Sequence, residues 1–162
     1  MLRGIMSSSL FLEEEASRQI TSLLAILLAD TYLVYVKTQN FHWNIRDPRF
    51  FSLHKFFEEQ YQSLAAAIDE IAERIRMLDA KAPGSLNSFL ELTRLDDAKD
   101  ELSADAMLKA LLQDHQNIIQ WIRQEIEPTS KLGDEGTADL LVQRLRAHEK
   151  AAWMLKSHFK NN

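Results

Sequence analysis

Apolar residues recur every three or four positions over most of the chain, which is the spacing of one face of an α-helix. Strand-like alternation of apolar and polar residues is rare. Glycine and proline number only four and three, and they interrupt the pattern at Pro48, at Pro83 and Gly84, and between Pro128 and Gly136. The pattern therefore predicts an all-α protein.

Four long helices are expected, over about 12–44, about 49–80, from Ser103 through the stripe that ends at Ile126, and about 137–159. A short helix, which Ser85 could cap, is expected in the long connection between the second and third helices. A four-helix bundle with one long crossover has the ferritin-like topology. Residues 1–11 are expected to form a mobile tail, and residues 12–162 a single domain.

The amino-acid composition limits the kinds of site that the chain can form. The chain has 162 residues, 46% hydrophobic and 27% charged, as a water-soluble globule does. A net charge of −5 argues against a general polyanion binder, and the absence of cysteine excludes disulfides, thiolate nucleophiles and sulfur metal sites. Any metal must therefore take nitrogen and oxygen ligands. No stretch is expected to reach the roughly 18 apolar residues of a membrane span, and no signal peptide is recognised, so a cytoplasmic protein is predicted.

Two histidines and three carboxylates stand at helical spacing around the second helix. With His54 set at zero on a helical wheel, Glu58 falls near 40°, Asp69 near 60° and Glu73 near 100°. These four side chains share one face, and His42 can join them because only a short loop separates it from this helix. Histidine and carboxylate are ligands that suit iron, manganese or zinc.

One copy of the helix cannot bring all of these ligands together. The pair His54 and Glu58 and the pair Asp69 and Glu73 are centred 15 residues apart, which is roughly 22 Å along a helix. Metal–ligand bonds are only about 2 Å long. A second, antiparallel copy across a two-fold axis would place one pair against the other and make two equal sites. The spacing therefore predicts a metal site shared between subunits.

Simpler interpretations remain for parts of this pattern. Any single histidine–glutamate pair four residues apart is often only a solvated pair. Asp69, Glu70 and Glu73 alone could form a wet helix face beside Arg74 and Arg76. The alignment of five positions favours a site. An ordinary ferritin or another di-iron bundle is discounted, since no histidine here follows a glutamate by three residues.

Several segments resemble the Dps-type mini-ferritins (DNA-binding proteins from starved cells). They are Asn-Phe-His-Trp-Asn at 40–44, Leu-His at 53–54 with the glutamate at 58, Asp-Glu-Ile-Ala-Glu-Arg at 69–74, and His-Glu-Lys at 148–150 with Trp-Met-Leu at 153–155. The resemblance covers about residues 20–158. At one point the chain departs from the family, which usually has glycine where Asp47 and Pro48 stand. Aspartate tolerates left-handed backbone, so a changed loop and an intact site are expected.

The resemblance implies a ferroxidase centre at a two-fold interface. His42, His54 and Glu58 would come from one subunit, Asp69 and Glu73 from its neighbour, and Trp43 would lie beside the centre. The family forms a hollow shell of twelve subunits, oxidises Fe(II) preferentially with hydrogen peroxide and stores the ferric product, which limits oxidative damage. The residues alone leave open whether peroxide or O₂ is the oxidant. Glu59 and Glu70 are possible mineral-nucleating residues on the inner surface.

The main alternative is a DNA-packaging protein in which the metal chemistry is secondary. Many family members bind DNA through a basic tail, but the first twenty residues here carry only Arg3 and Arg18, against three consecutive glutamates. The C-terminal end is thinly basic, with Lys156, His158 and Lys160. Weak or absent DNA binding at physiological salt is predicted, because non-specific affinity needs several phosphate contacts. A third class, a purely structural or signalling bundle, predicts no metal uptake.

Other residues receive more limited predictions. The acids that open the last helix would favour its N-terminus, while in the family the same region lines a three-fold pore that could guide Fe(II) inward; they are Asp134, Glu135 and Asp139. His115 and His148 lie on apolar stripes and are interpreted as packed histidines rather than ligands. Trp121 and Trp153 are assigned to packing.

Overall fold

The computed structural model describes residues 12–159, so the expected tail at 1–11 lies outside the described residues. Within 12–159 every regular element is helical, and the predicted bundle with one long crossover is confirmed. The helices are α1 (Glu14–Asn44), α2 (Phe50–Met77), α3 (Leu86–Leu92), α4 (Ala104–Lys131) and α5 (Glu135–Lys156).

Short loops make α1 and α2 one packed helix pair and α4 and α5 another, and the two pairs close around a common apolar core. Burying a large aliphatic or aromatic side chain contributes about 1.5–3 kcal/mol, so this core is the main source of stability. Its fully buried members include Leu24, Leu27, Phe41, Phe57, Ile71, Leu108, Ile118, Ile122, Leu141 and Leu155.

The helix starts follow the capping residues predicted from the sequence. The Ser85 hydroxyl accepts a hydrogen bond from the Ser88 amide at 3.2 Å, and the Ser88 hydroxyl accepts one from the Ser85 amide, which forms the capping box that begins α3. The Ser103 hydroxyl accepts from the Ala106 amide at 3.3 Å at the start of α4. Both serines therefore cap helices.

The boundary between α4 and α5 differs from the prediction. Pro128 was expected to break the chain, but α4 continues through it and ends at Lys131. The chain then turns at Gly133, whose φ of +86° is one that glycine adopts without strain. Thr129 is buried in the last turn of α4. Packing there outweighs the loss of the backbone hydrogen bond that proline cannot donate. Helix α5 begins at Glu135, two residues earlier than expected.

Two ion pairs that involve buried residues of α1 fasten the crossover to the bundle, and the apolar pattern gave no sign of either. Asp30, fully buried on α1, accepts hydrogen bonds from the Arg94 amide at 2.8 Å and from the Arg94 guanidinium. Lys37 donates to the Asp114 carboxylate at 2.7 Å and to the Asp96 carbonyl at 2.6 Å. Removing Arg94, or either partner of the Lys37–Asp114 pair, would leave a buried charge unpaired, which costs about 3–5 kcal/mol.

Helix α1 corrects the expectation about membrane spans. By length and composition Glu14–Asn44 is apolar enough to cross a membrane, so the expectation that no stretch would qualify was wrong. Half of its most apolar window is buried inside the bundle, and α1 packs on α2, α3 and α4. This burial is typical of the core helix of a globular bundle.

Candidate metal centre

The end of α1 and the start of α2 bring His42 and His54 into contact. The five-residue loop between these helices is held by Asp47, which accepts from the Arg49 amide at 2.8 Å and from the Arg49 guanidinium. These hydrogen bonds lower the pKa of the Asp47 carboxyl to about 2. The non-glycine residues with positive φ in the described chain are Asp79 and Glu101, so the suggestion of left-handed backbone at Asp47 was wrong.

The two histidines hold each other through the backbone. His42 Nδ1 lies 2.8 Å from the His54 carbonyl oxygen, and His54 Nδ1 lies 2.8 Å from the His42 carbonyl oxygen. A carbonyl oxygen can only accept, so each Nδ1 carries the proton and donates it. In the neutral imidazole Nε2 is then the unprotonated nitrogen, and its lone pair is available to a metal. Both rings are therefore fixed in the tautomer that ligation requires.

Aromatic contacts fix the ring planes. The His42 and His54 rings stack with centroids 3.8 Å apart and planes 17° apart. Phe50 stacks on His54 at 4.9 Å, and the Tyr61 ring meets His42 edge-on at 5.2 Å. Sequence reasoning missed both aromatic residues, although Phe50 lies one helical turn before His54 and the spacing could have indicated it. Trp43, expected beside the centre, is 65% exposed.

Glu58 lies one turn after His54 and is paired with a residue that the sequence analysis overlooked. The Lys55 ammonium donates to Glu58 Oε2 at 2.6 Å, and the Glu58 side chain is 28% exposed. The hydrogen bond from Lys55 lowers the pKa of the Glu58 carboxyl. Glu58 is thus held as a carboxylate beside the two rings.

Asp69 and Glu73 are both exposed on the second half of α2. Neither side chain has a hydrogen bond or an ion pair to any other described residue, and Ile71 between them is fully buried. Across residues 12–159 no three histidine or acidic side chains lie close enough to hold a metal ion. Within one chain, His42, His54 and Glu58 are neighbours that do not converge on one metal position. Asp69 and Glu73 lie further along α2.

The two acids assigned to the inner surface are also on α2. Glu59 and Glu70 are both exposed. Burial lowers the pKa of the Arg144 guanidinium on α5, and the Glu70 carboxylate opposes that shift. Part of the negative charge of Glu70 is therefore offset within the chain.

The acids at the start of α5 have different surroundings. Asp134 is the N-cap, is 4% exposed and accepts from the Thr137 amide at 2.9 Å and from Arg74 at 2.6 Å. Its carboxylate is thus already satisfied by capping and ion pairing. Glu135 and Asp139 are exposed, and accept from Ser130 and Gln143 respectively.

Of the two histidines and two tryptophans assigned to packing, three are buried or half-buried and one is exposed. His115 and His148 are buried as expected, with Nδ1 atoms 2.8 Å apart. Trp121 is half-buried beneath the Arg94 guanidinium, 4.1 Å from the ring centroid. Trp153 is 67% exposed, so its expected packing does not occur within one chain.

The family of the chain follows from comparison with known proteins. The family model described as a ferritin-like domain matches residues 21–162. A crossover bundle with a histidine and carboxylate face on α2 agrees with that match. Fold and sequence together define a ferritin-like protein.

The relatives narrow this class. An uncharacterised low temperature-induced protein of Nostoc sp. is 41% identical over 148 residues, which are 90% of this chain and 83% of that protein. The DNA protection during starvation protein 2 of Bacillus anthracis is 34% identical, over 87% of this chain and 97% of its own. The Vibrio cholerae Dps crystal structure, described as a member of the ferritin-like diiron-carboxylate superfamily, has a TM-score of 0.90 and 31% identity, covering 98% of this chain and 99% of that one. The chain belongs to the Dps-type mini-ferritins.

Proposed function

We propose that the protein is a ferroxidase and iron store whose oxidation centres are built between two subunits. His42, His54 and Glu58 of one copy and Asp69 and Glu73 of the other would be the Fe(II) ligands. The observation that carries the proposal is the pair of reciprocal hydrogen bonds from His42 and His54 Nδ1 to backbone carbonyls, at 2.8 Å each. They leave both Nε2 lone pairs ready for a metal, which a purely structural pair has no need to do.

The positions of the two acids support the two-subunit arrangement. Asp69 and Glu73 are exposed and unpaired within the described chain, and this pair is centred roughly 22 Å along α2 from the pair His54 and Glu58 by helical rise. Exposed apolar residues at both ends of α2 and on α3 provide a surface for a second copy; they are Phe51, Met77, Leu86 and Leu90. Antiparallel apposition of two α2 helices would complete two centres at once.

The chemistry uses iron as the substrate. A mixed nitrogen and oxygen ligand set binds Fe(II), leaves positions open for an oxidant, and its carboxylates stabilise Fe(III). Two Fe(II) ions each lose one electron, hydrogen peroxide accepts both as its O–O bond breaks, and two protons complete two molecules of water. O₂ is the second possible oxidant. The ferric product would collect as a mineral inside a shell of twelve subunits in the cytoplasm, with Glu59 and Glu70 as candidate nucleation residues.

Iron would enter along acidic residues near the start of α5. Glu135 and Asp139 suit this role best, because both are exposed. Asp134 suits it less well, since its carboxylate caps α5 and pairs with Arg74. A row of carboxylates raises the local concentration of Fe(II).

DNA packaging remains the second function considered, and no feature of the described residues favours it. The exposed basic residues of α5 are Arg146, Lys150 and Lys156, which are few for a non-specific DNA contact that needs several phosphates. The names of several relatives refer to DNA protection. Limiting the iron-dependent formation of oxidants would protect DNA without contact, so weak DNA binding is retained as the prediction.

The proposal is tested by anaerobic Fe(II) titration followed by peroxide. The wild-type assembly is expected to oxidise iron rapidly, and the double variant His54→Ala with Asp69→Ala should be slowed about a hundredfold or more, because each end of the centre loses a ligand. Asp97→Asn is a matched acidic-surface control, because Asp97 is exposed in the crossover and lies outside both the centre and the entry route, and it should keep the wild-type oxidation rate. Unchanged kinetics in the double variant would defeat the assignment.

A further inference from the structure

Arg144 is a buried cation that pairs with no acidic residue in the described chain. Its side chain on α5 is only 8% exposed, and its Nε is buried without a hydrogen-bond partner among residues 12–159. Glu70 acts on its charge, but Glu70 is exposed and forms no ion pair with it. Arginine keeps its proton in proteins, so burial here requires a compensating negative charge beside the guanidinium.

His148 presents a second unpartnered atom at the same place. It follows Arg144 by four residues on α5, so the two side chains are neighbours on one face of the helix. The His148 ring is 1% exposed, and its Nε2 has no hydrogen-bond partner in the described chain. Burial lowers the pKa of His148 and of His115, and the positive charge of Arg144 adds to both shifts, so the guanidinium lies beside the histidine pair.

The hydrogen bond between the histidines decides what His148 Nε2 can offer. The two Nδ1 atoms are 2.8 Å apart, so one of them carries the proton and the other accepts it. With His115 as the donor, the neutral His148 ring carries its own proton on Nε2. That N–H and the Arg144 Nε–H then both need an acceptor. With His148 as the donor, its Nε2 is an acceptor, and one water molecule could satisfy both side chains.

We propose that Arg144 and His148 hold a buried halide ion between α4 and α5, with chloride as its physiological form. The ion would accept from Arg144 Nε–H and His148 Nε2–H, and its single charge matches that of the guanidinium. A water molecule would satisfy the donors but leave the charge uncompensated, and a phosphate would bury more oxygen atoms than two donors can satisfy. The site uses none of the five proposed iron ligands and does not rest on the proposed function.

The first experiment is thermal unfolding of the intact assembly in sodium chloride and in sodium gluconate, at equal ionic strength and subunit concentration. A ligand that binds only the folded chain raises the melting temperature. Salts also act generally on stability, so the quantity to compare between proteins is the difference between the two salts. We expect this difference to favour chloride by about 3–6 °C more in the wild type than in Arg144→Met.

Arg144→Met keeps the length of the buried stem and removes both the charge and the Nε–H. In gluconate it should melt at or above the wild-type temperature, because it leaves no unpaired charge in the bundle. The matched control is Arg146→Met: Arg146 is exposed on the same helix, and its loss should leave the chloride response as in the wild type. Glu70→Gln should also keep the chloride response, since the ion rather than Glu70 compensates Arg144.

The second experiment locates the ion. Crystals grown in sodium bromide should show one anomalous peak within hydrogen-bond distance of Arg144 Nε and His148 Nε2, and crystals of Arg144→Met should lack it. Equal chloride responses in the wild type and Arg144→Met would overturn the site, and a bromide peak without a chloride response would mean an adventitious ion only. A loss of the chloride response in Glu70→Gln, with a lower melting temperature in gluconate, would show that Glu70 turns inward and pairs with Arg144 instead.

Discussion

The chain holds two pairs of touching histidines, and they are built in opposite ways. His42 and His54 stack face to face, and the Nδ1–H of each donates to the backbone carbonyl of the other. His115 and His148 meet through their Nδ1 atoms at 2.8 Å, between α4 and α5. One pair thus keeps two lone pairs for an outside ligand, and the other consumes one in bonding to its partner.

The surroundings of the two histidine pairs also differ. The first pair has Glu58 beside it and opens to solvent at His54. The second is buried beside the cationic Arg144, and burial lowers the pKa of His115 to about 4 and that of His148 well below its ordinary value. A cation next to neutral imidazoles repels metals. The difference teaches that the partner of the second ring nitrogen, rather than the presence of two histidines, decides which pair can bind iron.

The buried pair should make the fold sensitive to acid, which is the largest effect expected from this comparison. Above pH 6.5, His115 and His148 are neutral in the folded and the unfolded chain alike. Below pH 6.5, these two residues take up protons only in the unfolded chain, until the folded His115 titrates at about pH 4. The free energy of unfolding should therefore fall with decreasing pH across this window, by up to about 1.4 kcal/mol per pH unit for each histidine.

Urea unfolding at pH 7, 5.5 and 4.5 measures this loss. The double variant His115→Leu with His148→Leu removes both partners and should lose less stability on acidification than the wild type. Its affinity for Co²⁺, which stands in for Fe(II) without being oxidised, should equal that of the wild type, since the pair is not a metal site. Equal acid sensitivity in both proteins, or weaker cobalt binding by the variant, would contradict the contrast between the pairs.

The ring stack on the metal-facing pair should have a smaller effect. Phe50→Leu removes the ring that lies 4.9 Å from His54 and should weaken Co²⁺ binding by about threefold, because the imidazole loses an aromatic contact that holds its plane. Phe56→Leu is the control, because the Phe56 ring on the same helix contacts Phe57 and His158 rather than a metal-facing histidine. Equal affinities in the two variants would show that the stack does not orient the ligand.

The sequence was sufficient for the helices and for the face of α2 that carries the ligands, because helical periodicity needs only local spacing. It failed where one element meets another. Nothing local shows that Asp30 and Lys37 on apolar α1 find Arg94 and Asp114 across the bundle. The helix also continues through Pro128, because tertiary packing outweighs a local preference.

The chemistry of the site was likewise predictable only in part. The spacing located the ligand types, but not the proton on each Nδ1, which depends on where two backbone carbonyls fall after the loop has folded. Lys55 does not stand out in the sequence as part of a metal site, because a lysine ammonium has no lone pair to give to a metal. Its pairing with Glu58 is a rotamer choice that spacing permits without requiring.

The central claim, that ligands from two copies complete one centre, is tested most directly by mixing two inactive variants. His54→Ala and Asp69→Ala damage opposite ends, so each mixed pair of subunits would carry one centre with both changes and one with neither. Assemblies formed from equal amounts of the two variants, unfolded and refolded together, should recover about a quarter of the wild-type centres, because half of the random pairs are mixed. Mixing His54→Ala with His42→Ala damages the same end twice and should recover none. Recovery of peroxide-driven Fe(II) oxidation in the first mixture alone is the predicted result; no recovery in either mixture, or full activity in one variant alone, would contradict the account.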